Sequence, residues 1–192
     1  MANVVMLIRH AEKPIGEGPP FGVTDDGVVD RESLTPRGWQ RAGALVRWFG
    51  GQAGASVDGL PRPTHLFASQ IAPQSSSRRP QQTLQPLAQS LRLPIDTSVP
   101  KSDVGRLALA ILAVDGVVLV AWEHHLIPSL AAALTGQPPL TPDVWPDDRF
   151  DVVWVLERGA DSDGFQFRQV AQRALAGDSD EPIPATAGPP PA

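Results

Sequence analysis

The stretch Val4-Val5-Met6-Leu7-Ile8-Arg9-His10-Ala11-Glu12 decides the fold class of this chain. A short apolar run bounded by polar residues is typical of a strand buried on both faces of a parallel sheet. Open α/β sheets bind their ligands at the carboxyl ends of such strands. The stretch therefore predicts a central strand that delivers a guanidinium and an imidazole to a ligand site.

Two further apolar runs lead to the same residue types. Residues 65–68 are followed by Ser77-Arg78-Arg79-Pro80, and residues 117–121 are followed by Trp122-Glu123-His124-His125. Because the carboxyl ends of parallel strands meet at one edge of a sheet, we expect these groups to lie together. Arginine side chains bind phosphate oxygens well, and histidine side chains can react near neutral pH. The combination indicates a phosphate site at which a reaction takes place.

The remaining pattern alternates helices with strands. This alternation predicts an α/β fold, a three-layer α/β/α arrangement around a central, mostly parallel sheet of five or six strands. Pro86 should kink or break the second helix. The predicted helices begin at Thr35-Pro36, Arg79, Asp103 and Ile127, and Gly136 ends the last of them. Strands are predicted at 151–156 and 165–170, the second at an edge, and a long loop at 13–33. Residues 145–150 are predicted to form a connecting loop, with a loop that overhangs the site as the alternative.

The length of 192 residues suits one domain, and 42% hydrophobic content is enough for a core. We assign the domain to residues 1–175. From residue 176 onward the sequence is rich in proline, glycine and acids, so residues 176–192 are predicted to form a disordered tail.

The charge balance bears on the partners. Sixteen basic residues against 21 acidic ones give a net charge of −5, which argues against nucleic acid as a partner. No apolar run approaches the roughly 18 residues of a membrane span, and no signal-peptide pattern opens the chain. We therefore expect a cytoplasmic protein without a membrane partner. The oligomeric state stays open.

The motifs together resemble the histidine phosphatase superfamily, also called phosphoglycerate mutase-like. The resemblance runs from about residue 3 to 170. It is carried by Arg9-His10-Ala11-Glu12, by the helix opening Leu34-Thr35-Pro36-Arg37-Gly38-Trp39-Gln40, by Arg79 four residues before Thr83, and by His124 after a hydrophobic strand. It implies a phosphoglycerate mutase-like fold and a phosphatase, a phosphomonoester hydrolase that needs no cofactor. The expected partner is a small phosphorylated substrate.

The resemblance also implies roles for the site residues. His10 would be the nucleophile that carries a phosphohistidine intermediate, and Arg9 and Arg79 would clamp the phosphate. His124 would bind the same phosphate. Spacing favours Arg79 over Arg78, and the Ile127-Pro128 that follows favours His124 over His125, although neither neighbour is excluded.

The general acid is the least defined role. Glu123, Asp103 and Glu12 are the candidates, although Glu123 could point away from the pocket and Asp103 could simply cap a helix. A phosphoglycerate mutase-type phosphotransferase and a phospho-ligand binding protein without turnover are therefore alternatives. No metal is expected, because adjacent histidines in a strand diverge and no cysteine or His-x-x-x-His ligand set exists.

Overall fold

The computed structural model describes residues 2–51, 59–136, 141–159 and 164–185. Its strands are β1 (Ala2–Arg9), β2 (His65–Ala68), β3 (Ile95–Asp96), β4 (Gly116–Trp122), β5 (Val152–Arg158) and β6 (Phe165–Ala171). Its helices are α1 (Pro36–Phe49), α2 (Arg79–Leu91), α3 (Val104–Ala113) and α4 (Ile127–Thr135), and a 3₁₀ turn spans His124–Leu126.

The six strands form one mixed sheet in the order β3-β2-β4-β1-β5-β6. The first four run parallel, whereas β5 pairs antiparallel with both β1 and β6. The predicted mostly parallel sheet is thus confirmed, with β6 at one edge. The two-residue strand β3, which the sequence did not predict, forms the other edge.

Successive side chains of the central strands point to opposite faces of the sheet and pack against helices on both sides, which produces the three layers. In β1, Val5 and Leu7 join the core on the side of α3 and α4, whereas Met6 and Ile8 join the core on the side of α1 and α2. The strand is apolar throughout because both of its faces are covered. The α/β/α arrangement predicted from the sequence is confirmed.

The helix ends follow ordinary capping chemistry. The Thr35 hydroxyl accepts a hydrogen bond from the Gly38 N–H at 3.2 Å, and the Asp103 carboxylate accepts one from the Arg106 N–H at 3.1 Å. Gly136 closes α4 in the left-handed conformation, with φ +67°. These three boundaries match the sequence predictions.

Helix α2 continues through Pro86, so of the predicted kink or break the break does not occur. The proline has no N–H to donate to the carbonyl of Gln82 one turn earlier. Packing of Leu84 and Leu87 against the sheet holds the two halves of the helix in one element.

The chain beyond residue 176 differs from its prediction as a disordered tail. Within the described part, residues 176–185 lie against the domain, where Asp178 binds Arg41 and Ile183 is 2% exposed in the core. The Ser179 N–H also donates to Asp151, and Gln169 exchanges hydrogen bonds with the Ile183 backbone, so several contacts hold this segment. Residues 186–192 lie outside the described residues.

The longest helix in the described ranges is α1, with 14 residues. None of the helices in these ranges combines the length and the apolar character needed to cross a bilayer.

Candidate active site

The carboxyl ends of β1 and β4 bring the predicted residues together. Arg9 pairs with Trp122 in the parallel register, and the His10 N–H donates to the Trp122 carbonyl at 3.0 Å. His10 therefore lies beside the Glu123-His124 segment, at the carboxyl ends of the central strands. The positive charge of Arg79, at the start of α2, also acts on His10.

Helix α1 fixes the segment that follows His10. The Thr35 N–H donates to the Glu12 carbonyl at 3.0 Å, and Gly38 lies so close that an added Cβ would stand 2.5 Å from the same oxygen. A side chain at position 38 would push the helix away from this segment. The contact gives a physical reason for glycine in the Leu34-Thr35-Pro36-Arg37-Gly38 motif.

His10 is held as a neutral imidazole with one nitrogen unprotonated. It is 1% exposed, and its Nδ1 lies 2.8 Å from the Ala11 carbonyl oxygen. A carbonyl only accepts, so Nδ1 carries the proton and Nε2 keeps its lone pair. Burial lowers the pKa of His10 to about 3, and the charges of Arg9 and Arg79 act in the same direction. The ring is therefore ready to act as a nucleophile at neutral pH.

The Arg9 side chain is fully buried and its guanidinium is anchored on one side only. Nη1 donates to the carbonyls of Pro146, Asp147 and Arg149 at 3.3, 2.5 and 3.2 Å. The guanidinium carbon lies 3.8 Å from the centre of the Phe150 ring. Nε and Nη2 are buried and have no hydrogen-bond partner among the described residues. Burial lowers the pKa of Arg9 to about 10, so the group stays charged at neutral pH.

Residues 145–150 therefore wrap Arg9, which agrees with the alternative prediction of a loop over the site and not with the favoured one of a plain connecting loop. Its backbone carbonyls, and not its side chains, make the contacts with Nη1. Every residue type carries a backbone carbonyl, which explains why the sequence did not favour this contact over a plain connecting loop.

Like Arg9, Arg79 has some donors that are hydrogen-bonded and one that is not. Nη2 donates to the Arg31 carbonyl at 2.5 Å and lies 3.6 Å from a Glu32 carboxylate oxygen, while Nη1 lies 3.3 Å from Ser77 Oγ. Nε is buried without a partner among the described residues. The 13–33 loop thus contacts the site through Arg31 and Glu32. Burial lowers the pKa of Arg79.

The two neighbours that the sequence left as alternatives lie further out. The Arg78 side chain is 56% exposed and stands 3.6 Å from Asp30. The His125 side chain is 67% exposed, and its ring stacks on His124 with 3.7 Å between ring centres. The expected divergence of the two histidines is wrong, because they open a 3₁₀ turn and do not lie in a strand.

His124 is fully buried between two carboxylates. Its Nε2 contacts Oδ1 of Asp147, and its Nδ1 lies 2.9 Å from Oε1 of Glu123. The contact with His124 is the main cause that lowers the pKa of Glu123 to about 2, and it also lowers the pKa of Asp147. Asp147 was not a predicted site residue, since 23 residues separate it from His124 and no spacing links them.

The three candidate acids have different surroundings. Asp103 caps α3. Glu12 forms ion pairs with Arg41 at 2.9 Å and with Arg37 at 3.3 Å. The Glu123 carboxylate lies 2.9 Å from Nδ1 of His124, and its charge raises the pKa of His10 against the larger effect of burial. Glu123 follows the last residue of β4, so the alternation of the strand does not decide where it points.

The fold and the site define an α/β protein in which buried arginine and histidine side chains gather at the carboxyl ends of the strands of a mostly parallel sheet. No protein-family model and no curated protein sequence matches the chain. Among solved structures, the chain is similar to SixA from Agrobacterium tumefaciens, to which phosphohistidine phosphatase activity has been attributed. The identity is 18%, the TM-score is 0.45, and the match covers 82% of this chain and 93% of the other.

Proposed function

We propose that this protein is a phosphomonoesterase that acts through a phosphohistidine intermediate on His10. The observation that carries the proposal is the set of unpartnered, buried donors around His10: Nε and Nη2 of Arg9 and Nε of Arg79. A buried donor without a partner costs about 1–3 kcal/mol, and more when it is charged. A phosphate group offers the oxygens and the negative charge that satisfy all three donors.

The chemistry proceeds in two displacements. His10 Nε2 attacks phosphorus as the bond from phosphorus to the ester oxygen breaks, and the departing oxygen takes up a proton from solvent water. Water then attacks the phosphohistidine, the P–N bond breaks, and phosphate leaves with the histidine restored. Arg9 and Arg79 offset the charge on the phosphoryl oxygens in both steps.

The role of each remaining residue follows from its contacts. The Ala11 carbonyl keeps the proton on Nδ1 of His10, so Nε2 points its lone pair at phosphorus. His124 binds a phosphoryl oxygen through Nε2 once Asp147 turns away. Glu123, which is ionised at neutral pH, accepts the proton of the attacking water in the second step.

The proposal includes a small phosphorylated substrate and a cytoplasmic location. It needs no metal and no cofactor, because the two guanidiniums supply the positive charge and histidine supplies the nucleophile. Neither nucleic acid nor a membrane has a part in it.

The test is to trap the intermediate. Wild-type protein is mixed with a ³²P-labelled aryl phosphate and quenched, and the label should appear as an acid-labile adduct in the peptide that contains His10. His10→Ala should lose both the adduct and the hydrolysis. His65→Ala is the matched control, because His65 opens β2 at the opposite edge of the sheet and should keep both. Full activity of His10→Ala would overturn the mechanism.

A second candidate is a phospho-ligand binding protein without turnover. It is favoured by the contacts of the candidate acids. Asp103 caps a helix and Glu12 is ion-paired with Arg41. The contact with His124 lowers the pKa of Glu123 to about 2, so Glu123 holds no proton for an alkoxide at neutral pH. Hydrolysis of alkyl and aryl phosphates by the wild type separates the two candidates. Turnover of both supports the enzyme, whereas binding of phosphate without turnover of either supports the binder.

The variant Glu123→Gln then tests whether the Glu123 carboxylate accepts the proton of the attacking water. A general acid or base contributes about 10²- to 10⁴-fold. If Glu123 acts only on water, its amide variant should accumulate the phosphohistidine adduct with alkyl and aryl substrates alike. Asp103→Asn is the control, since asparagine caps a helix about as well as aspartate.

A further inference from the structure

Two imidazole rings and a carboxylate converge on the outer side of the pocket. Oδ1 of Asp147 contacts Nε2 of His124 and lies 3.8 Å from Nε2 of His125. The two rings stack at 3.7 Å with a tilt of 39°, so their Nε2 atoms face the same oxygen. One donor atom each from Glu123, His124 and His125 also lies within 4.8 Å of the others.

Glu123 completes the arrangement from the other side of the His124 ring. Its Oε1 lies 2.9 Å from Nδ1, the nitrogen that faces away from Asp147. A histidine that binds a metal usually presents its other nitrogen to a carboxylate, which fixes the ring and raises its basicity. The Glu123 carboxylate stands at ion-pair distance from this nitrogen, which makes no hydrogen bond among the described residues.

The donor set selects the class of ion. Two imidazole nitrogens with one carboxylate oxygen suit Zn²⁺, whereas Mg²⁺ and Ca²⁺ prefer oxygen ligands alone. Ligand atoms bound to tetrahedral zinc at about 2.0–2.1 Å stand about 3.4 Å apart. The His125–Asp147 separation of 3.8 Å is close to this spacing. The Asp147 side chain is 79% exposed, so it is free to turn outward and open the gap from His124 that the ion requires.

We infer that His124, His125 and Asp147 form a Zn²⁺ site that shuts the pocket, with Glu123 as the residue that positions His124. The ion takes Nε2 of His124, the atom that otherwise binds the phosphoryl oxygen. The inhibitory part of this inference rests on the proposed phosphatase function, whereas the binding part does not. Chelation therefore leaves the phosphatase rate unchanged or raises it.

Binding is tested first, because it needs no activity. Co²⁺ is titrated into the metal-free full-length protein, and the visible absorption of tetrahedral Co²⁺ is followed, with Zn²⁺ added afterwards to displace it. The wild type should bind one ion, and His125→Ala should bind it at least tenfold more weakly. His125 is largely exposed, so its replacement leaves the fold intact. His65→Ala, which removes an imidazole at the opposite edge of the sheet, should bind like the wild type.

Inhibition is tested on the same three proteins with an aryl phosphate. Without metal, His125→Ala should hydrolyse the substrate at the wild-type rate, and it should need at least tenfold more Zn²⁺ for half inhibition. Equal Co²⁺ affinity in wild type and His125→Ala would overturn the site. A wild type that binds Co²⁺ through His125 but hydrolyses no phosphate would keep the metal site and overturn the proposed phosphatase instead.

Discussion

Arg9 and Arg41 are both buried, yet they differ in how many of their hydrogen-bond donors are paired. Every donor of Arg41 is paired: Nε and Nη2 bind Glu12, both Nη atoms bind Asp178, and Nη1 also binds Gln172. Burial alone would lower the pKa of Arg41, but the hydrogen bonds to these carboxylates raise it. Arg9 binds only carbonyls through Nη1 and leaves two donors unpaired, and burial lowers its pKa to about 10. Arg41 is thus fully paired within the fold, whereas Arg9 keeps two buried donors that the proposed phosphate would satisfy.

The largest expected effect comes from Arg9→Lys. Lysine keeps the charge and can reach the carbonyls of the 145–150 loop, but it lacks the Nε–Nη2 edge that matches two phosphate oxygens. We expect kcat/KM for an aryl phosphate to fall about 10²- to 10³-fold, the usual cost of one lost anion donor. Thermal unfolding should shift by only a few degrees. Activity within threefold of wild type would show that this edge does not hold the phosphate.

Arg41→Met should have the opposite profile. It leaves the carboxylates of Glu12 and Asp178 without their partner, and their side chains are 12% and 4% exposed. Removal of one partner from a buried pair costs about 3–5 kcal/mol, which urea unfolding would measure. The rate per folded molecule should stay within a few-fold. A large loss of rate without a loss of stability would place Arg41 in the active site and end the contrast with Arg9.

The pH dependence of stability separates the two regions further. The pKa of His10 is about 3 in the folded protein and about 6.5 in the unfolded chain, so below pH 6.5 only the unfolded chain binds the proton. The free energy of unfolding therefore decreases as the pH is lowered, by on the order of 2 kcal/mol from pH 6.5 to pH 4.5. The hydrogen bond from Arg41 outweighs burial and lowers the pKa of Asp178, so that pair is lost only at pH below about 4.

His10→Gln measures this contribution. Urea unfolding of wild type and variant is compared at pH 7.0 and 4.5, and the difference should shift in favour of the variant at the lower pH. If the difference is the same at both values, the folded His10 takes up a proton near its usual pKa. Its ring would then be hydrated, contrary to its 1% exposure.

The smallest effect is expected at Arg78. Its side chain is 56% exposed and makes only a long contact with Asp30, so Arg78→Gln should change kcat/KM less than about twofold. The matched change Arg79→Gln removes a buried, unpartnered donor and should cost about 10²-fold or more. Similar losses in the two variants would mean that phosphate is bound by the general field of the loop and not by one guanidinium.

Local sequence determined most of the fold. The Val4–Ile8 run is apolar because both faces of β1 are covered, and Thr35, Asp103 and Gly136 mark helix ends through contacts with nearby backbone. Strand β3 was not predicted because two residues, Ile95 and Asp96, are too few to show a period. The order of residues 176–185 depends on Asp178 meeting an arginine 137 positions earlier, which no local pattern reveals.

The residues of the candidate site also divide into those that local sequence predicts and those that depend on distant contacts. Arg9, His10, Arg79 and His124 lie next to strand ends or a helix start, so their meeting follows from the topology of a parallel sheet. The role of the 145–150 loop depends on backbone carbonyls, which every residue type carries. The stacking of His124 on His125 depends on where β4 ends, and a boundary error of two residues changes which side chains face each other.

The position of β1 in the sheet has a consequence for how the chain is made. Within the described chain β1 is the first strand to leave the ribosome, but its neighbours β4 and β5 begin at Gly116 and Val152. At about 5–20 residues per second, β1 waits roughly 5–20 s for β4, longer for β5, with its backbone unpaired. The carbonyls that anchor Arg9 arrive almost as late as β5. The nascent chain therefore holds an unpaired apolar segment, and the surroundings of Arg9 are completed only after residues 145–150 have been synthesised.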